Sequence, residues 1–363
     1  MNNPVVIIGA GLSGLHAASL LTEQGIDCRI LEARDRVGGR ALSASVPNRP
    51  DLGKFDLGPT WFWPQYEKSI AELVGHLNLD TFEQYNEGAM VSERSLNGPP
   101  QRLILAEGSM EKSVRFRGGV QSLIGAIEKI LPPNTVELGK RVTAIRLDQT
   151  GAIKIDTKLP DGKKEKVSAS AIILALPPRI VAQHIEFSPS LPPDVMTDLL
   201  NKPTWMAGQA KVIAVYDRPF WRDAGLSGFA TSWVGPLQEI HDASPSQGPG
   251  ALFGFFGMQA TMRQELGEDG LKEIIIDQLV RLFGPDAKNV RSILYKDWSE
   301  DVETTVEADL VPLRDFPAYG KPPKAGIWEG KILFAGTETS PQFGGHLEGA
   351  IRSAEQAVLS ITK

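Results

Sequence analysis

Gly9, Gly11 and Gly14 stand in a GxGxxG pattern, directly behind the β-branched run Val5 to Ile8 and at the head of Leu12 to Leu21, whose apolar residues recur at helical spacing. A strand, a tight turn and a helix in that order make a phosphate site. Gly9 permits the turn, Gly11 lets backbone approach a pyrophosphate at the positive helix end, and Gly14 lets the helix pack on the strand. Leu12 and Ser13 belong to the same phosphate-facing turn. A second apolar run, Cys28 to Leu31, ends at Glu32, near the expected interval of about 20 residues from the glycines, where a carboxylate can accept hydrogen bonds from ribose hydroxyls. The motif predicts a dinucleotide site and does not separate NAD from FAD. The next residues, Ala33, Arg34, Asp35, Arg36, Val37, Gly38, Gly39 and Arg40, set a second glycine pair among arginines. Such a loop suits a pyrophosphate or a flavin held from its other side.

The elements that must position these residues are legible in outline. Val5 to Ile8, a helix and Cys28 to Leu31 form a βαβ unit. Short alternating runs, Val142 to Leu147 and Ile153 to Leu159, with a turn at Pro160, Asp161 and Gly162, predict an antiparallel meander. Ala171 to Leu176 is nearly all apolar and stops at Pro177 and Pro178, as a strand buried on both faces does. Strands at Lys211 to Tyr216, Ala251 to Met258 and Val290 to Tyr295, with a helix at Gly270 to Phe283, predict a second domain. Asn97 to Pro100, Ser244 to Gly250 and Pro317 to Gly326 read as surface loops. Lys331 to Ala335 is a strand. The apolar face of Leu347, Ala350, Ile351, Ala354, Ala357, Val358 and Ile361 returns the chain to the first domain as a final helix.

Composition narrows the function classes. At 363 residues, two packed domains are expected. With 38 basic against 44 acidic residues, the net charge of −6 argues against a general nucleic-acid binder. The single cysteine, Cys28, can form neither an internal disulfide nor a thiolate metal site. His16, His76, His184 and His241 show no metal-ligand spacing, and Ser13 lies in the glycine turn rather than in a GxSxG elbow. No apolar run reaches the roughly 18 residues of a spanning helix, and no basic leader precedes the first strand. A cytoplasmic, soluble protein is the expectation, with no nucleic-acid partner, no membrane span and no metal; oligomeric state is left open.

The run from Glu32 to Arg40 resembles the EARxRxGGR fingerprint of the flavin-containing amine oxidase family, which includes monoamine, polyamine and L-amino-acid oxidases. Three further segments resemble that family: Asp56, Leu57, Gly58, Pro59, Thr60, Trp61, the loop passing along the flavin; Arg117, Gly118, Gly119, its GG turn; and the C-terminal block. That block pairs Phe334, Ala335, Gly336, Thr337, Glu338, Thr339 with Gly344, Gly345, His346, Leu347, Glu348, Gly349, Ala350, resembling FAGTET and GGxxEGA. The resemblance implies noncovalent FAD, with Val142 contacting adenine through backbone and Glu338 binding the flavin's polar tail. Amides at the start of the final helix would face the N1 and C2 carbonyl edge, where the dipole favours negative charge. It also implies that Lys211, which precedes Phe220 and Trp221 at the family's interval, holds a water against flavin N5. The linking cysteine of covalent members has no counterpart in Thr304 to Ala308. Of the two cage tyrosines of monoamine oxidases, one falls at His346 and the other near Ala308. Trp61, Trp63, Trp205 and Trp233 are candidate walls of the substrate cavity, and Pro64 to Arg117 is short for the family's helical cap.

The resulting expectation is an α/β protein with a discontinuous Rossmann-like FAD-binding domain (residues 1–63, 118–184 and 301–363) and a smaller α+β substrate domain (64–117 and 185–300). The implied activity is an FAD-dependent oxidase of a small-molecule amine: a hydride passes to flavin N5, oxygen becomes hydrogen peroxide, and the imine is hydrolysed. Lys211, His346 and Trp61 are the catalytic candidates. The alternatives are an FAD-dependent oxidase or desaturase of a nonamine, and a noncatalytic flavin-binding protein.

Overall fold

The computed structural model describes residues 3–106, 108–311, 313 and 315–362. Val5–Ile8 is buried along its whole length between two parallel neighbours, Cys28–Leu31 and Ala171–Leu174. Val136–Glu137 and Ile332–Phe334 complete a five-stranded parallel sheet whose strands come from the beginning, middle and end of the chain. Successive side chains of a strand point to opposite faces, and here the two faces meet different layers. Val5 and Ile7 pack beneath the first helix, Leu12–Glu23, and the last, Leu347–Ile361. Val6 and Ile8 pack beneath the meander Arg141–Leu147, Ile153–Lys158 and Lys164–Ala169. The strands Ala171–Leu174 and Ile332–Phe334 are shorter than the runs expected at 171–176 and 331–335; beyond the first, Ala175 and Leu176 wall a cavity, with the Ala175 amide still donating to the Ile8 carbonyl.

The second sheet is seven-stranded and mixed, running Ser292–Asp297, Ala210–Tyr216, Gly250–Phe256, Leu237–Asp242, Leu226–Ser232, Ala89–Glu93 and Gln101–Leu103. Its outer face lies under Ala260–Phe283, a helix longer than the apolar pattern predicted and broken at Gly267 (φ 66°). Along Ala210–Tyr216, Val212, Ala214 and Tyr216 face that helix, whereas Ile213 and Val215 face Phe55 and Leu57 of the N-terminal segment. Lys211 shares the parity of Ile213, so the strand's alternation turns its side chain toward the first domain. A lysine opening a strand is ordinarily exposed; this one is 3% exposed.

Between Pro64 and Arg117 the described residues contain one helix, Lys68–His76, and short strands. The helix buries Ile70 and Val74 against the first domain's core, and Thr81–Glu83 pairs with Val114–Phe116. The loop expected at 244–250 is not wholly superficial. Ser244 is buried, its amide donating to Asp242 and its carbonyl accepting from Arg115.

Candidate active site

A cavity of about 300 Å³ opens where the parallel strands end and the second sheet begins. At one end its wall is backbone. Gly11 is the N-cap of the first helix, in extended conformation with no side-chain cap, so the first-turn amides are left facing the cavity alongside Leu12 and Ser13. A Cβ on Gly11 would meet nothing within 4 Å, whereas one on Gly14 would sit 1.9 Å from the Gly9 carbonyl oxygen. Gly9 (φ +102°) is likewise held against Ala175. One glycine of the motif leaves room and the other two permit packing, so Gly9 and Gly14 lie behind the wall. Glu32 is 3% exposed, its carboxylate accepting from the Ala10 amide at 2.7 Å and the Arg34 amide at 2.9 Å. Ala33 and Val142 line a small adjoining cavity that shares Glu32 and Arg34 with the main one.

Two arginines of the fingerprint, Arg34 and Arg40, are committed to side-chain partners. Arg34 binds Asp301 and the Thr304 hydroxyl. Arg40 forks onto Glu338, Nη1 to Oε1 at 2.6 Å and Nη2 to Oε2 at 2.9 Å, with Glu338 fully buried. This bidentate pair joins the N-terminal fingerprint to the C-terminal block, so Glu338, expected at the flavin tail, anchors Arg40 and is not itself a wall residue. Gly38 and Gly39 lie beside the glycine turn, Gly38 donating to the Ala10 carbonyl. Gly336, Thr337, Gly345 and Leu347 reach the wall from the C-terminal block, and the last helix, like the first, lacks a side-chain cap.

The other end is made of side chains. Lys211 donates to the Gly58 carbonyl at 3.0 Å and to the Thr60 hydroxyl, with its Nζ 4.0 Å from the Phe253 ring centroid. Both of these acceptors are neutral oxygens rather than carboxylates. Burial pushes its pKa down to about 7, with Asp56 opposing the shift and Arg115 adding to it. Asp56 is itself pushed up by burial while accepting from Ser43 Oγ and the Val120 amide. The Gly118–Gly119 turn is behind this: a Cβ on Gly119 would come within 2.7 Å of Asp56, so the turn cradles that carboxylate rather than the cavity.

Pro59, Thr60 and Trp61 line the wall beside Lys211. Trp61 donates through Nε1 to Gln84 at 2.9 Å and packs on His241 and Phe253. His346, the N-cap of the last helix, bonds through Nδ1 to Glu67 at 2.7 Å, with Trp63 beside it. Trp63 and Trp205 are wall residues, but Trp233 is 81% exposed and lies off the cavity. Trp221, of the Phe-Trp pair, is core, donating to Asp242. Cys28 is buried under the first helix and is no part of the wall.

Several wall residues were not singled out in the sequence. Phe255 and Met206 carry no signal beyond hydrophobicity, and Glu303 pairs with Arg141 from a loop. Trp298 donates to the Leu57 carbonyl at 3.0 Å. Glu67 carries one weak signal, an acidic residue opening a short helix just behind Trp61 and Trp63.

Residues 93–361 match the family model of flavin containing amine oxidoreductases, and residues 7–77 that of an NAD(P)-binding Rossmann-like domain. The chain is 30% identical to an L-amino acid dehydrogenase of Synechocystis, with 98% of this chain and 94% of the relative covered. It is 24% identical to a putrescine oxidase of Kocuria rosea, at 98% and 94% coverage. These alignments run over 460 and 471 positions against 363 residues here, so both relatives carry stretches without a counterpart. A solved putrescine oxidase variant redesigned in cofactor binding shares the fold, with a TM-score of 0.81 at 21% identity over 100% of this chain and 99% of that one.

Proposed function

Because the chain belongs to the flavin-containing amine oxidoreductase family, we propose that it oxidises a monoamine at the carbon bearing nitrogen, using FAD as hydride acceptor and oxygen as the final oxidant. The residues present fit FAD. Gly11 leaves open space where any side chain would intrude, two uncapped helix starts converge on the cavity, and Glu32 stands at the ribose position. With its only cysteine away from the wall, the chain holds FAD without a cysteinyl bond. When bound, the flavin would supply the two-electron chemistry, serving as hydride acceptor for the amine's carbon and as electron donor to oxygen, with hydrogen peroxide and a hydrolysable imine as products.

Every other task falls to the chain. Trp61, Trp63, Trp205 and Phe255 exclude water and orient the substrate, and orientation can contribute about 7 to 11 kcal/mol of a barrier. Lys211, near its midpoint at neutral pH, offers an ammonium or a held water where oxygen gains charge. The observation that carries the monoamine reading is the state of the cavity's charges. Glu32, Arg34, Arg40 and Glu303 each already carry a protein partner. Among the described residues, the aromatic end offers neither a free carboxylate for a second ammonium nor a free guanidinium for a substrate carboxylate; its unpaired cation, Lys211, is held by the Gly58 carbonyl, the Thr60 hydroxyl and the Phe253 ring.

Anaerobic mixing of the yellow holoenzyme with an amine panel tests this. An apolar monoamine such as a benzyl or cycloalkyl amine should bleach the flavin at least about tenfold faster than putrescine or an L-amino acid. Faster bleaching by either of the latter would refute the monoamine reading. Bleaching only by a polyene or porphyrinogen would refute amine oxidation.

A further inference from the structure

Resting on the amine-oxidising reading, we infer that His346 and Glu67 form a proton-accepting dyad that converts the substrate's ammonium to the free amine inside the cavity. Hydride can leave only from carbon next to a nitrogen with a free electron pair. An alkylamine resembles a lysine side chain, whose pKa of about 10.4 leaves roughly one molecule in a few thousand unprotonated at pH 7. A site working near neutrality gains by removing that proton itself.

The geometry supplies the acceptor. Glu67 is 2% exposed, with Oε2 accepting from the Trp63 amide at 2.7 Å and Oε1 facing His346 Nδ1 at 2.7 Å. A buried carboxylate on Nδ1 fixes that nitrogen as the donor, which leaves Nε2 with the lone pair in the neutral ring. No group among the described residues bonds Nε2, and the ring is part of the cavity wall. In the transfer, an N–H bond of the ammonium breaks, its electron pair stays on the amine, and the proton forms a bond to Nε2. The positive ring is then stabilised by Glu67, and its side chain, 36% exposed, can return the proton to water. No oxidant is required.

The pair is held from both sides. Glu67 is the N-cap residue of Lys68–His76, and Glu348, in the first turn of the last helix, accepts from the Ser69 and Ile70 amides of that same helix. Among the described residues, the charged groups on the elements packed around His346 have partners. Glu348 is also paired with Arg352, Lys68 donates to the Pro64 carbonyl, and the remaining neighbours Trp63, Phe316 and Phe343 are uncharged. His346 touches the substrate in this scheme; Glu67 is a positioning residue.

The test is the rate of anaerobic flavin bleaching against pH, with one amine that bleaches the wild-type holoenzyme. His346→Gln should lose about 100-fold at pH 7 and recover to within a few-fold near pH 10, where the amine arrives unprotonated. Glu67→Gln should show the same slope with a smaller loss at pH 7. His346→Ala should be rescued at pH 7 by added imidazole. The flavin absorbance of each variant reports that the cofactor is still bound. A loss equal at all pH values, or no loss at pH 7, overturns the dyad while amine oxidation stands. If no amine bleaches the wild type, the reading beneath it fails and the dyad with it.

Discussion

The two ends of the cavity are built from different materials. The end proposed for the cofactor is backbone: a glycine without a neighbour in reach, two helix starts without caps, and the Glu32 carboxylate fixed by amides. The end proposed for the substrate is side chains held by other side chains: Trp61 by Gln84, His346 by Glu67, Lys211 by Thr60 and the Phe253 ring. Backbone sites tolerate little change, because geometry and shape are one thing there. Side-chain sites can be retuned one residue at a time, which is how a family shares a cofactor and divides its substrates.

The sharpest way to break this comparison is within the glycine motif. In Gly14→Ala, the new Cβ would lie 1.9 Å from the Gly9 carbonyl oxygen, so the first helix must shift from the sheet. A loss of about 3 kcal/mol or more in unfolding free energy is expected, by urea denaturation. In Gly11→Val the new Cβ meets no protein atom within 4 Å, and the backbone is extended with negative φ. It should fold with nearly unchanged stability and purify colourless, FAD affinity falling more than about 100-fold by titration. A yellow Gly11→Val protein would show that the open space beside Gly11 is not where the cofactor passes.

The same contrast explains what could be read beforehand. Val5–Ile8, the glycine turn and Glu32 lie within one βαβ unit, so spacing alone carried their placement. The final helix was legible because its buried stripe keeps helical period. Glu67 and His346 are 279 residues apart, and no local pattern could join them. The burial of Lys211 was hidden for a related reason. Strand parity says which way it points, but only the packing of the N-terminal segment on that face makes the direction an interior one. The commitment of Arg40 to Glu338 likewise needed both ends of the chain in view.

Lys211 gives a smaller and more graded effect. Burial lowers its pKa to about 7, from about 10.4 in an unfolded chain. Between those values the unfolded chain binds a proton that the folded one does not, so stability must rise with pH. Below about pH 7 the desolvation cost of the charged lysine is present in full; toward pH 10 it fades. Unfolding free energies measured from pH 7 to 10 should therefore rise, relative to Lys211→Met, by up to about 1.4 kcal/mol per unit. The same variant should keep FAD and amine reduction while slowing oxygen consumption by the reduced enzyme. Parallel stability curves would mean that the lysine keeps its charge at low cost, and unchanged oxygen kinetics would remove it from the oxidative step.

The tryptophans give the finest comparison, since Trp61, Trp63, Trp205 and Trp233 were all candidate walls of the cavity. Trp61 is tied to Gln84 and packed on His241 and Phe253, on the wall beside Lys211. Trp233 is 81% exposed after the strand Leu226–Ser232, with its amide bound to the Glu93 carbonyl and its ring outside the core clusters. Trp233→Ser keeps that amide, so it should leave amine turnover unaltered and change stability by no more than about 0.5 kcal/mol. Trp61→Ser removes an oriented face of the cavity and should raise KM about tenfold, with FAD retained. Equal effects of the two substitutions on amine KM would mean that the substrate is gripped outside this cavity, because only one of these rings can reach it.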